Sequence, residues 1–164
     1  MTRLLARIGL LPRDRLFIPL QARPLRADAP LIVQRQDGTK IQIAFRVDSG
    51  CSRTLLPFDR AVQLGLPTTG QRHRIKLGTA LSRTSAEAVS VAYRFWLHEG
   101  QRGAPFLLPV HLLLGQPAHL TPLLGLGGVV GQLRWTFDGR ALPGAALGHC
   151  LMPDVRPASA RFPG

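Results

Sequence analysis

The stretch FRVDSGCSRTLLP, residues Phe45–Pro57, decides which fold this sequence predicts. It continues an alternating run in which polar or small residues separate the apolar side chains of Ile41, Ile43, Phe45 and Val47. A period of two is typical of a β-strand with one buried face. Asp48 follows directly, and Ser49 and Gly50 then favour a turn. The sequence therefore predicts a carboxylate presented at the end of a core strand.

Turn and helix signals lie on both sides of this strand. Upstream, Asp37-Gly38 predicts a two-residue hairpin turn, because both central positions of that turn need positive φ. Downstream, LPFDRAVQLGLP predicts a short helix with Pro57 in its first turn and Gly65 just beyond its end. We therefore expect a hairpin before the Asp48 strand and a helix after it.

The rest of the chain predicts further short strands. HRIKLGTALSRTSAEAVSVAYRFW indicates two strands joined by a polar tip over Gly78–Glu87, and Pro109 argues that APFLLPVHLLLG forms an edge strand or contains a bulge. TPLLGLGGVVGQLRWTFDGR indicates a buried strand, a glycine-rich bend or one-turn helix, and a strand over Leu133–Phe137. Strands recurring about every 8–12 residues predict an all-β barrel or sandwich with one or two short helices.

Composition agrees with one globular domain. The chain has 164 residues, of which 45% are hydrophobic and 18% charged, and its 17 glycines and 14 prolines favour turns over long helices. The net charge of +12 attracts anions, including nucleic acid and acidic membrane surfaces. The basic residues are scattered, without a run of five, which disfavours nucleic-acid binding as the main function and favours a solvated basic surface.

Signals for metals, cofactors and membranes are weak. Cys51 and Cys150 lack the grouping of a zinc site, and the five histidines form no short-spaced pair, so no metal is predicted. GLGGVVG has no long helix after it, so no dinucleotide or other cofactor is predicted. No apolar run approaches the ~20 residues of a membrane span. The N-terminal leucines are interrupted by Arg7 and Pro12, and we expect a cytoplasmic protein.

The chain resembles the retropepsin-like aspartic protease family, particularly its bacterial single-domain members, over roughly Leu16 to Gly139. The specific matches are FRVDSGCSRTLLP and LLGLGGVVGQLRWTFDG, and the hairpin IKLGTALSRTSAEAVSVAYRF occupies the place of the family's flap. We accordingly divide the chain into an N-terminal segment (1–15), a retropepsin-like domain (16–139) and a tail (140–164) that docks or is partly disordered.

The resemblance implies a small closed acid-protease-like β-barrel with one lobe per chain, acting as a homodimer on extended, mainly hydrophobic peptide or protein substrates. Asp48 is then the catalytic residue, and the residues that support it are Ser49, Gly50 and Thr54. The residues implied to bind substrate are Gly78, Thr79, Ala80, Leu123, Leu124 and Gly125.

The chemistry requires two carboxylates. One takes a proton from water while the other donates one to the amide, and two adjacent aspartates share a proton because both cannot stay ionised. The chain contains no second Asp-Ser-Gly or Asp-Thr-Gly. An active enzyme of this class must therefore pair two copies of Asp48 across a two-fold axis.

Three features depart from the family pattern. Cys51 stands where the family usually has a small residue such as alanine, Leu126 stands where many relatives carry a dimer-bracing arginine, and the hairpin tip is poor in glycine. Arg134 and Arg140 are candidate substitutes for the missing arginine. Two alternatives stay open, namely a retropepsin-like binding or dimerisation module without turnover and a basic nucleic-acid-associated protein.

Overall fold

The computed structural model describes residues 16–22, 25–79, 82–99, 101, 105–125, 136–138 and 149–152. These residues form mainly strands, with the one short helix α1 (Phe58–Gln63). The strands are β1 (Leu16–Ala22), β2 (Leu25–Gln34), β3 (Lys40–Val47), β4 (Leu55–Pro57), β5 (Gln71–Thr79), β6 (Ser82–Trp96), β7 (Phe106–Leu113), β8 (Leu123–Leu124), β9 (Thr136–Asp138) and β10 (His149–Met152). The predicted mostly-β class with a short helix is confirmed for this part of the chain.

The strands follow the order β5-β6-β7-β4-β8-β3-β2-β1-β10-β9. Most neighbours are antiparallel, while β3 with β8 and β4 with β7 are parallel. In addition, β2 pairs with β6 through Ile32↔Trp96 and Val33↔Phe95. The sheet therefore bends back far enough for two strands that are distant in its order to meet.

The main core lies where β2, β3, β6 and β7 turn their apolar faces toward one another. Along β3 the side chains of Ile43 and Phe45 are buried, and Phe45 meets the ring of Phe95 edge to face at 5.7 Å between centroids. On β6 the alternating residues Val89, Val91, Tyr93 and Phe95 are all buried. The alternation predicted for β3 and β6 is confirmed.

The turn at Asp37-Gly38 joins β2 to β3 but is longer than predicted. Arg35 N–H donates to the carbonyl oxygen of Thr39 at 2.7 Å, and Gly38 N–H donates to that of Arg35 at 3.1 Å. Gly38 has φ +86°, and Asp37 Oδ1 accepts from the backbone N–H and hydroxyl of Thr39 at 2.9 and 2.6 Å. The prediction of a two-residue loop is wrong, because a tight turn followed by a left-handed glycine closes the hairpin with three residues.

Helix α1 ends as predicted but begins one residue later. Gly65 has φ +67°, its N–H donates to Val62 O at 3.0 Å, and Leu66 N–H donates to Ala61 O at 2.9 Å. This pair of bonds is the Schellman arrangement, which satisfies the last carbonyls of a helix. Pro57 caps the N-terminus as the last residue of β4 instead of standing in the first turn.

The β5–β6 hairpin is more regular than its polar sequence indicated. Pairing runs from Gln71↔Ser90 to Thr79↔Ser82 without a bulge. The predicted polar tip over Gly78–Glu87 is shorter than expected, because backbone pairing of the two strands continues to Thr79↔Ser82. Glu87 and Thr84 are both exposed within β6.

Strand β7 lies between β6 and β4 in the sheet. At Pro109, however, β6 is the one described strand that pairs with it. Pro109 pairs with Ala92 of β6, whereas the pairing with β4 covers only His111 to Leu113. Among the described residues, no strand therefore lies on the other side of Pro109, which is where a residue without N–H is tolerated.

Four residues of the segment 140–164 form strand β10. In β10, Met152 and His149 pair with Leu16 and Pro19 of β1, and β10 also pairs with β9.

Predictions that lie outside the described residues concern segment 1–15, Ala80, Leu126, the glycine-rich bend 127–131, Arg134 and Arg140. The predicted strand over Leu133–Phe137 is described only from Thr136 onward. No helix in the described ranges is long and apolar enough to cross a membrane.

Candidate active site

The turn that follows β3 wraps around the end of β8. Strand β8 pairs in parallel with β3 through Val47↔Leu124 and antiparallel with β4 through Leu55↔Leu123. The two strands that the Asp48 turn connects are thus separated by β8. Asp48 N–H donates to Leu124 O at 3.0 Å, which ties the start of the turn to the inserted strand. The carboxylate is therefore carried by a junction of three strands.

Asp48 also closes its own turn. Its Oδ1 accepts a hydrogen bond from Gly50 N–H at 2.9 Å, and its carbonyl oxygen accepts one from Cys51 N–H at 3.2 Å. Asp48 is half-buried, while Ser49 and Gly50 are exposed. The hydrogen bonds described for this carboxylate engage Oδ1, so Oδ2 remains available to a second group. The turn therefore carries a half-buried aspartate next to an exposed Ser-Gly pair.

Gly125 locks the turn against β8. A Cβ atom on Gly125 would lie 2.2 Å from Arg53 O and 2.6 Å from Cys51 O. Both oxygens belong to the backbone of the Asp48 turn, which therefore cannot yield as a flexible side chain would. The closeness of the two segments explains why glycine follows the two leucines of β8.

An apolar patch extends from the Asp48 turn to the β5–β6 hairpin. It is separate from the main core, and its buried members are Leu55, Ile75, Ala88 and Leu113. Partly buried side chains pack around it, namely Cys51, Leu77, Ala86 and Leu123. Because these residues come from the turn, the hairpin, β4, β7 and β8, the patch connects the Asp48 turn to the hairpin.

The structure separates the residues that the sequence assigned to substrate. Leu123 lies in the apolar patch, whereas Leu124 is fully buried in the main core and presents its carbonyl oxygen to Asp48. Gly78 is exposed and Thr79 pairs with Ser82 at the end of the hairpin. Ala80 is not among the described residues. The structure thus brings Leu123 and Gly125 next to the Asp48 turn.

Thr54 lies beneath the turn. It is fully buried, and its hydroxyl has no hydrogen-bond partner among the described residues. Its carbonyl oxygen accepts from His111 N–H at 2.9 Å, which joins the turn to β7. The Cys51 thiol donates to Arg53 O at 3.0 Å, so this side chain packs within the turn. Both residues therefore stabilise the backbone that carries Asp48.

A histidine pair near this site was missed by sequence reasoning. His73 Nε2 lies 3.1 Å from His111 Nδ1, and the two rings meet edge to face at 5.1 Å between centroids. Burial, followed by the positive charges of His73 and Arg53, lowers the pKa of His111. The two residues are 38 positions apart, so no local spacing could reveal the pair.

The described residues include no group of three or more His, Cys, Asp or Glu side chains placed to hold a metal ion. Of the other described acidic side chains, Asp28 bonds Arg26 and Arg46 at 3.2 and 3.4 Å, Asp37 closes a turn, and Asp59 lies in α1. Glu87 lies opposite Arg74 on the other face of β6. Asp48 is carried by the turn whose Cys51 packs on the apolar patch.

No family model and no curated protein matches this chain. Among solved structures, it is similar to a retropepsin-like aspartic protease from Rickettsia conorii, with a TM-score of 0.54 and 19% sequence identity. The match covers 84% of this chain and 89% of that chain. At this identity the comparison shows that the two chains share a retropepsin-like fold.

Proposed function

We propose that the protein is an aspartic endopeptidase that works as a homodimer, with Asp48 of each chain forming one shared-proton pair. The observation that carries the proposal is the Asp48 turn itself, which joins β3 to β4 around β8 and which presents a half-buried carboxylate beside an apolar patch. The retropepsin-like fold supports the same reading. The pairing of β2 with both β3 and β6 supports closure of the sheet into a barrel.

The proposed reaction needs one proton on the pair. The ionised carboxylate removes a proton from water, and the water oxygen attacks the peptide carbonyl carbon. The protonated carboxyl group supplies the proton that the departing amide nitrogen needs. Because the described residues place no second carboxylate at the patch, the partner copy must supply it.

The exposed side of the turn fits this dimer. Ser49 and Gly50 are exposed where Asp48 is half-buried, so the small Ser-Gly pair lets a second turn approach closely. In the proposed dimer the Ser49 hydroxyl bonds across the two-fold axis. Thr54 and Gly125 support the turn from within each chain.

The apolar patch is the proposed contact for substrate side chains. A peptide lying along it in an extended conformation would direct alternate side chains into the patch and would pass Asp48. Leu123 and Leu77 are partly buried members with surface left to cover. In this proposal the backbone of Gly78, Thr79 and Ala80 contacts the peptide from the hairpin side.

The first test is digestion of a mixed peptide library between about pH 4 and about pH 7, where a carboxylate pair can hold one proton. Wild type, Asp48→Asn and Asp59→Asn are compared, the last being a control on an exposed helical carboxylate. We expect cleavage between large apolar residues that Asp48→Asn abolishes and Asp59→Asn retains. Cleavage that persists in Asp48→Asn refutes the assignment. No cleavage by a folded dimer favours the non-catalytic binding module.

Subunit mixing tests the shared site. Wild type is equilibrated with about a ninefold excess of Asp48→Asn, so that nearly every wild-type chain pairs with a variant chain. If each site needs two Asp48 residues, activity per wild-type chain falls to roughly one tenth. Activity that stays unchanged while the chains exchange would show that one chain suffices.

A second candidate function is binding of nucleic acid. Arg72, Arg74 and Lys76 are exposed at alternate positions of β5, which is an edge strand of the described sheet. Such a row spaces cations at about 7 Å along an extended strand. Binding of a single-stranded oligonucleotide that weakens steeply with salt, and that Arg74→Gln reduces, would support this function. Absence of binding at low salt would remove it.

A further inference from the structure

The histidine pair stands on the same face of the sheet as the apolar patch. Directly opposed residues of antiparallel strands share a face, and one row runs from His73 through Ala88 to Leu113. The next row runs from Gln71 through Ser90 to His111. Ala88 and Ser90 are small, so the two imidazoles can meet diagonally over β6. The pair therefore borders the surface that we assign to substrate.

Hydrogen bonds define how the pair holds its protons. His73 Nδ1 lies 3.2 Å from Gln71 O, a carbonyl that can only accept, so Nδ1 carries a hydrogen. In the neutral pair, His73 Nε2 then accepts from His111 Nδ1–H. This arrangement leaves His111 Nε2 as the atom that takes the next proton. Protonation therefore adds positive charge at His111.

Arg53 adds a permanent positive charge at this place. It precedes Thr54, whose carbonyl oxygen accepts from His111 N–H, so the Asp48 turn and β7 are adjacent here. Arg53 is exposed, and His73 and His111 are half-buried. The three side chains come from the turn, β5 and β7, at one margin of the apolar patch.

The described residues of β5, β6 and β7 place no carboxylate on the face that carries the histidine pair. On β5 the charged residues Arg72, Arg74 and Lys76 alternate onto the other face, and Glu87 lies opposite Arg74 on that same face. On β6 the residues that face the pair are Ala88 and Ser90, and on β7 they are Pro109 and Leu113. Asp48 borders the same patch from the turn, where its Oδ1 bonds Gly50 N–H. Among the described residues no carboxylate forms an ion pair with Arg53, His73 or His111, which leaves room for an anion from outside.

We propose that Arg53, His73 and His111 form a subsite that binds an acidic side chain of the peptide substrate, next to the apolar side chains held by the patch. The inference rests on the proposed function for the nature of the ligand. An aspartate or glutamate there accepts charge-assisted hydrogen bonds from Arg53 and from protonated His111. Recognition strengthens as the pH falls and His111 gains a proton, over the range in which a glutamate with a pKa of about 4.3 stays ionised.

The test measures binding separately from catalysis. Fluorescein-labelled peptides carry a constant apolar centre, and one glutamate is placed in turn at each flanking position, with glutamine in a matched series. Their affinity for the Asp48→Asn protein is measured by fluorescence anisotropy at about pH 5.5 and about pH 7.5. Arg53→Gln, Arg53→Lys and His111→Gln are made in this background. Arg74→Gln serves as the control, because it removes an equal charge from the opposite face of β5.

We expect one register at which glutamate binds about tenfold more tightly than glutamine at the lower pH. Arg53→Gln should remove most of this preference, Arg53→Lys should keep part of it, and Arg74→Gln should keep all of it. His111→Gln should leave a preference that no longer changes with pH. Folding of each variant is checked by thermal denaturation.

Three results would overturn the inference: no preference at any register, a preference that Arg74→Gln reduces as much as Arg53→Gln does, or no peptide binding at all. The second would show that net charge alone attracts acidic peptides. A glutamate preference with the expected variant pattern, in a protein whose wild type cleaves nothing, would support the subsite and refute the endopeptidase.

Discussion

Replacing Gly125 with alanine should destabilise the protein and displace the turn that carries Asp48. The new Cβ would lie 2.2 Å from Arg53 O, 2.5 Å from Arg53 C and 2.6 Å from Cys51 O, whereas real Cβ contacts essentially never fall under 3.0 Å. The closest pair must therefore separate by at least 3.0 − 2.2 = 0.8 Å. All three obstructing atoms are backbone atoms of the turn, so relief requires the turn to move.

The size of the effect follows from overpacking. Forcing extra atoms into a packed site typically costs about 1–3 kcal/mol, and the three backbone contacts place Gly125→Ala near about 3 kcal/mol. For a chain of this length, each 1 kcal/mol lowers Tm by about 2–4 °C, so Tm should fall by about 6–12 °C. Circular dichroism during heating measures the shift, and urea unfolding measures the free energy.

Two other glycines separate the causes. A Cβ on Gly70 would lie 2.0 Å from Ser90 O, so Gly70→Ala produces a similar clash away from the Asp48 turn. Gly115 has φ +68° with no atom within 4 Å of the added Cβ, so Gly115→Ala reports backbone strain without a clash. At a temperature where all variants are folded, peptide cleavage should fall about 10²-fold in Gly125→Ala alone. An unchanged Tm, or an equal loss of cleavage in Gly70→Ala, would refute the reasoning.

Three further predictions concern single side chains. Thr54→Val should stabilise the protein by about 1 kcal/mol in urea unfolding, since it removes a buried hydroxyl without a described partner; destabilisation would mean that the hydroxyl is bonded. Tyr93→Phe should cost about 1–3 kcal/mol, because the buried phenol donates to Pro67 O at 2.7 Å; an unchanged midpoint would contradict this. The pKa of His111 is lowered in the folded protein, so the unfolded chain binds more protons below about pH 6.5. The free energy of unfolding should therefore fall as the pH drops from about 6.5 toward the pKa that His111 has in the folded protein. His111→Gln should reduce this pH dependence, and an identical pH profile in the variant would argue against it.

Local patterns predicted the parts of the fold that depend on neighbours in sequence. The alternation of Ile43 with Phe45 specified the buried face of β3, since a strand turns every second side chain to the same side. Gly65 marked the end of α1 because a helix often closes with a left-handed residue. Asp48 at a strand end followed from the same reasoning, and its catalytic role remains a prediction.

Local patterns failed where pairing between strands outweighed residue preference. The polar residues between Gly78 and Glu87 predicted a loop, yet β5 and β6 pair to Thr79↔Ser82. A hairpin needs only its backbone groups to pair, so exposed polar side chains do not end it. At Asp37-Gly38 the residue types indicated a turn but not its length, because loop length depends on the register of the flanking strands.

Local residue patterns were enough to predict short strands, with Asp48 and a Ser-Gly turn at the end of one of them, and the chain carries no second copy of that motif. The surroundings of the turn became known from the folded arrangement of the strands. The insertion of β8 beside β3, the contact of Gly125 with Arg53, and the meeting of His73 with His111 all join residues far apart in the chain. Such contacts depend on strand order and register, which arise when separate strands bury their apolar faces together and which no short stretch of sequence encodes.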